Sequence, residues 1–135
     1  MNHGKQVEGF DEFAFGRDNC VAKLFGFGKA TRDYVHVGDV VSCLRAASGV
    51  AGVFNVATGV ETSGSAVWET LREAASAEIE PQLAPLRRGE LTRSCMDPTN
   101  AREKLGWSAQ VPFIEGVRST YAALMAEFEE QACRR

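Results

Sequence analysis

From Val21 onward, hydrophobic and polar positions fall into short periodic blocks. Val21-Ala-Lys-Leu-Phe25 alternates with a period of two and runs into a turn at Gly26-Phe-Gly28. Arg32-Asp-Tyr-Val-His-Val37 is a second β-rich run, which makes Gly26–Gly28 a strand-to-strand turn. Asp39 then predicts the N-cap of a helix through Val40, Val41, Leu44 and Ala47. Gly52-Val-Phe-Asn-Val-Ala57 is short, β-rich and bounded by turn residues, the pattern of a buried strand.

In the second half the period changes to that of helices. Thr62 or Ser63 caps a helix whose apolar positions Ala66, Val67, Leu71, Ala74 and Ala75 share one face. Pro81 and Pro85 open an extended segment that leads to Arg87-Arg-Gly-Glu90. Asp97-Pro98 starts a short helix and Gly106 stops it. A last helix carries Val117, Tyr121, Leu124, Met125 and Phe128 at helical spacing, with Arg134 and Arg135 suited to its dipole. The expected fold is therefore α/β, a small mixed sheet with helices. Residues 1–22 read as an irregular N-terminal segment and residues 23–135 as a single domain.

Composition narrows the class of function. The 135 residues are 44 % hydrophobic and 24 % charged, as in a soluble globular domain with a core of its own. A formal charge of -3 argues against a general nucleic-acid binder. Cys20, Cys43, Cys95 and Cys133 form no C-x-x-C pair, and with only His3 and His36 beside them no zinc spacing arises. Reduced thiols are expected, and no metal. Residues 1–11 contain charges and no apolar run, so neither a secretory leader nor a membrane helix is expected. A cytoplasmic location follows as the expectation.

Gly26-Phe-Gly28-Lys-Ala-Thr31 approaches the dinucleotide fingerprint G-x-G-x-x-G but lacks its third glycine, and a β-rich run rather than a helix follows it. A more specific pattern begins at Thr31-Arg-Asp-Tyr-Val-His-Val-Gly-Asp-Val40. With Phe54-Asn-Val-Ala-Thr-Gly59, Arg87-Arg-Gly-Glu90, Asp97-Pro-Thr-Asn-Ala101 and Leu105-Gly-Trp107 in the same order, it resembles the extended short-chain dehydrogenase/reductase family. That family comprises NAD-dependent nucleotide-sugar epimerases and dehydratases. The likeness is nearest to the C-terminal, substrate-binding part of UDP-glucose 4-epimerases, and no counterpart of the family's Rossmann domain is seen. Phe27, Gly38 and Asn100 depart from the residues usual in the family.

The resemblance implies a site for a UDP-sugar. Arg32 and Arg87 match arginines that contact the diphosphate, where a guanidinium gives forked, charge-assisted donors to phosphate oxygens. Phe25 matches an aromatic position beside the uracil, and Glu90 an acid near the ribose hydroxyls. Each assignment has a plainer competitor. Arg32 has Asp33 and Asp39 close by for an ordinary ion pair. Arg87 and Arg88 can form an exposed basic turn, Phe25 can be core, and Glu90 a surface charge. His36 reads as a strand residue; Tyr34, Trp68, Trp107 and the Tyr121–Leu124–Phe128 stripe read as packing.

Family catalysis uses NAD on a glycine-rich loop and a tyrosine four residues before a lysine. Here Tyr34 is followed at that spacing by Gly38 and Tyr121 by Met125, and no G-x-x-G-x-x-G occurs. No catalytic and no cofactor-binding residue is therefore assigned. The implied function is the substrate-binding portion of a UDP-sugar 4-epimerase, a truncated one, inactive alone, with a dinucleotide-binding domain or a second copy as partner. A 4,6-dehydratase or decarboxylase fragment and a non-catalytic interaction fragment are the alternatives.

Overall fold

The computed structural model describes residues 22–133, with side chains to residue 130. The strands are β1 (Lys23–Phe25), β2 (Thr31–Arg32), β3 (Thr62–Ser63), β4 (Gln82–Ala84) and β5 (Arg93–Ser94). The helices are α1 (Val37–Ala46), α2 (Gly64–Ala74), α3 (Thr99–Leu105) and α4 (Phe113–Cys133). β1 pairs in parallel with β4, with Leu24 opposite Leu83. β2 is the middle of a mixed three-stranded sheet, antiparallel to β3 and parallel to β5. A small mixed α/β fold is thus what the chain adopts. The reading of the N-terminal segment as irregular lies outside the described residues except at Ala22, which is buried against Leu24 and Trp68.

The turn between β1 and β2 holds Gly26, Phe27 and Gly28 at φ of 61°, 56° and 71°. At Gly28 a Cβ would stand 2.1 Å from the Ser65 hydroxyl, so glycine suits both the left-handed backbone and the close approach of α2. The two strands it joins pair with other strands, not with each other. β2 spans Thr31–Arg32 and ends at the first residue of the run expected to reach Val37. Its parallel neighbour β5 ends there too, after Ser94, while Ser63 of the antiparallel β3 lies opposite Thr31, accepts from the Ala66 amide and starts α2.

Two further expectations are corrected. The N-cap of α1 is His36, whose Nδ1 accepts from the Gly38 amide at 3.1 Å, so His36 is not a strand residue. Asp39 lies inside the first turn, 3 % exposed, where its two oxygens accept from the amides of Gln110 (3.1 Å) and Val111 (3.0 Å). Its burial is tolerated because both oxygens are satisfied. Residues 52–57 run in and out like a strand, yet among the described residues they pair with no strand and are not buried as one. Phe54 and Val56 turn towards the Cys43–Ala101–Trp107 cluster while Val53 is 87 % exposed. Instead of ladder bonds, Asn100 Nδ2 donates to the Val53 carbonyl and Asn55 Nδ2 to that of Asp97.

α2 buries Val67, Trp68 and Thr70, a face turned from the expected one, since Ala66 is exposed. α3 is capped by Asp97, which accepts from both the amide and the hydroxyl of Thr99, and ends at Gly106 with φ 61°. Trp107 packs as expected and its Nε1 donates to Ser42 Oγ at 2.7 Å. α4 packs on α2, but the stripe of Leu124, Met125 and Phe128 is exposed, Phe128 at 54 %. Its spacing marks an apolar face, and among the described residues nothing covers it. Arg134 and Arg135 lie outside the described residues. Cys43 and Cys95 are free thiols, and burial pushes the Cys43 thiol above its ordinary value.

Candidate functional site

Three separate stretches deliver charged and aromatic groups to one place. β1 ends at Phe25, β2 ends at Arg32, and the connection between β4 and β5 carries Arg87 and Glu90. That connection is a tight turn closed by the Glu90 amide donating to the Arg87 carbonyl at 3.1 Å, with Gly89 at φ 85°. All four residues singled out from the sequence therefore meet.

Glu90 sits at the centre. Its Oε1 lies 3.4 Å from Arg87 Nη2 and 3.9 Å from Arg32 Nη2. Its Oε2 accepts from the Arg87 amide (3.2 Å) and Nε (3.4 Å). The Arg87 hydrogen bond first, then its amide, its charge and that of Arg32, hold the carboxyl below its ordinary value in spite of partial burial. The Arg87 guanidinium also lies 4.4 Å over the Phe25 ring, a cation–π contact. Arg32 donates from Nη1 to the Thr31 carbonyl at 2.8 Å. Beside Glu90 is a cavity of about 40 Å³, lined by Phe25, Arg32, Tyr34, Gly64 and Glu90 among others. That is room for about one water, whose share of liquid volume is ~30 Å³.

The plain ion pairs weighed for Arg32 do not form. Asp39 faces Gln110 and Val111, and Asp33 accepts from the Thr58 amide (2.9 Å), the Thr58 hydroxyl (2.6 Å) and the Gly59 amide (2.8 Å). Burial alone would raise the Asp33 carboxyl, but these donors and the Cys95 thiol outweigh it and hold it below 3.8. Arg88 is exposed at the turn. Tyr34, read only as packing, does pack on Phe113 with ring centroids 5.8 Å apart, and it also lines the cavity.

A wider hollow of about 480 Å³ lies on the far side of Asp33, lined by Thr58, Glu61, Arg93, Cys95 and Arg102 among others. It is an open saucer whose main charges are already matched. Arg93 Nε donates to Glu61 Oε1 at 2.5 Å, and Glu61 Oε2 accepts from the Thr31 hydroxyl at 2.7 Å. The small cavity, with two guanidiniums around one carboxylate, is the better candidate for an anionic ligand. The described residues hold no dinucleotide fingerprint at Gly26–Gly28, because that turn leads into β2 and not into a helix N-terminus that could face a pyrophosphate. They contain no group of three or more His, Cys, Asp or Glu able to hold a metal ion, and no helix long and apolar enough to cross a membrane.

Comparison with known proteins agrees with the motifs. The family model described as GDP-mannose 4,6 dehydratase matches residues 7–120. A UDP-glucose 4-epimerase of Mycolicibacterium smegmatis is 48 % identical over 101 residues, 73 % of this chain and 32 % of that protein. A putative UDP-glucose 4-epimerase of Methanocaldococcus jannaschii is 33 % identical over 96 residues, 70 % of this chain and 31 % of that protein. Among solved structures, the Thermotoga maritima UDP-glucose 4-epimerase with UDP-glucose superimposes with TM-score 0.74 at 34 % identity, over 80 % of this chain and 36 % of that one. The Thermus thermophilus UDP-glucose 4-epimerase in complex with NAD gives 0.67, also at 34 % identity, over 76 % of this chain and 34 % of that one. The chain spans about a third of the length of the curated relatives it matches, and the part matched is their C-terminal part. This chain belongs to the family of NAD-dependent nucleotide-sugar epimerases and dehydratases.

Proposed function

We propose that this chain provides the UDP-sugar-holding side of a 4-epimerase, with Arg32 and Arg87 on the diphosphate, Phe25 beside the uracil and Glu90 towards the ribose. The observation that carries the reading is the meeting of these four side chains, from three stretches of sequence: Phe25, Arg32 and Glu90 line one cavity, and Arg87 contacts Phe25 and Glu90. Two guanidiniums suit a diphosphate, because each offers fork-shaped charged donors to phosphate oxygens, worth about 1.5–3 kcal/mol per well-formed bond. A phenyl face suits a base, and a carboxylate accepts from hydroxyls. The Thermotoga maritima relative, solved with UDP-glucose, supports the choice of ligand class. Hydride exchange with NAD needs groups beyond those in this sequence, so the residues here bind and orient substrate and exchange no proton with it.

Replacing Arg32 by Ala tests the assignment. UDP affinity should fall at least tenfold, which is ~1.4 kcal/mol, with the fold unchanged by circular dichroism. Equal UDP affinity in a folded variant would remove Arg32 from the site.

One observation favours a second reading, an interaction fragment. Val37, Val41 and Leu44 lie at i, i+4 and i+7 of α1 and are all exposed, on the side opposite Asp39 and Cys43. A helix apolar on two sides usually packs on both. Light scattering with and without UDP-glucose separates the two readings: association indifferent to the ligand favours the fragment.

A further inference from the structure

Resting on the proposed diphosphate role of Arg32 and Arg87, we infer that Glu90 is a resident counter-ion that makes the site discriminate a nucleoside diphosphate from bare inorganic diphosphate. The place where phosphates would meet both guanidiniums is already taken by the Glu90 carboxylate, 3.4 Å from one and 3.9 Å from the other. The same Arg87 guanidinium covers Phe25. The site is closed on itself, with room in its cavity for about one water.

The closure is loose. Good charge-assisted bonds between nitrogen and a carboxylate oxygen run at about 2.7–2.9 Å, and those from the two arginine side chains to Glu90 are all longer. The root of the side chain is nonetheless fixed, because the Glu90 amide is bonded to the Arg87 carbonyl and Gly89 shapes the turn. When an anion draws the guanidiniums away, the carboxylate stays within a few ångströms of it, keeping only the Arg87 amide as donor and repelled by the phosphate.

Bare diphosphate has nothing to offer in return. It strips Glu90 of both guanidiniums and leaves the Phe25 face without its cation. A nucleoside diphosphate supplies both replacements: ribose hydroxyls donate to the displaced carboxylate, and the base covers the ring that Arg87 has left. Discrimination therefore comes from the penalty that the resident carboxylate places on the wrong ligand, a device of negative selection.

The test is titration of the full chain with inorganic pyrophosphate and with UDP, in wild type, Glu90→Gln and Glu69→Gln. Glu69 pairs with Arg72 on α2, away from the site, and its variant makes the same change in net charge. Glu90→Gln should raise pyrophosphate affinity at least fivefold and leave UDP affinity equal or weaker, while Glu69→Gln moves neither ratio. Glu90→Ala, which removes the carboxylate without supplying an amide, should move pyrophosphate in the same direction. Unchanged pyrophosphate affinity, equal gains for both ligands, or the same gain in Glu69→Gln would each overturn the inference. UDP binding with no gain for pyrophosphate sinks the counter-ion and leaves the proposed function standing. A gain for pyrophosphate without UDP binding does the reverse.

Discussion

Two carboxylates flank β2, and they are held in opposite ways. Asp33 accepts from two amides and a hydroxyl at 2.6–2.9 Å, all donated by the Thr58–Gly59 loop. Glu90 accepts from one amide at 3.2 Å and is otherwise shared between two long, partly exposed arginine side chains at 3.4–3.9 Å. Short bonds from backbone donors tie a loop in place, and nothing can replace the carboxylate without undoing the loop. Longer contacts from flexible guanidiniums can be exchanged for those of another anion. The difference separates a residue that builds the site's frame from one that works in it, although both are acids next to the same strand.

Substitutions should divide along this line. The largest loss is expected at the most enclosed acid: Asp39→Ala strands the Gln110 and Val111 amides and should cost about 2–4 kcal/mol in urea unfolding. Asp33→Asn keeps the size but loses the charge and one acceptor, for about 2 kcal/mol. Glu90→Gln breaks contacts between partly exposed groups and should change stability by no more than about 0.5 kcal/mol. An unfolding cost at Glu90 equal to that at Asp33 would erase the contrast.

Acidity gives an independent view. Asp33 is held below its ordinary 3.8, so between the two values the unfolded chain binds more protons than the folded one. Its stabilisation is complete above the ordinary carboxylate range and is lost as pH falls through the lower, folded value. Melting from about pH 5 down to about pH 2 should show a decline that Asp33→Asn makes shallower. An equal decline in the variant would assign the acid sensitivity to other carboxylates; Glu61, Glu90 and Asp97 are lowered too.

Local chemistry was legible in the sequence wherever the signal and its partner lie close together. Ser63 and Asp97 cap α2 and α3, Gly106 ends α3, and the motifs pointed to all four residues that meet around Glu90 and Phe25. The failures other than His36 share one cause, a partner that local sequence does not reveal. Asp39 looked like a cap because its true donors are more than seventy residues away. Residues 52–57 have the composition of a buried strand, but composition does not say whether a neighbouring strand exists. The α4 stripe has a helical period, and periodicity names a face without naming what covers it. His36 as a cap was hidden because Ser, Thr, Asp and Asn are the usual capping residues.

The central claim is that this chain holds the substrate of its family and not the dinucleotide. Calorimetric titration of the purified chain with UDP and UDP-glucose, with NAD as control, tests it most directly. Saturable binding of both uridine ligands and no heat with NAD is the predicted result. A folded chain that binds NAD, or that binds neither uridine ligand, would contradict the account.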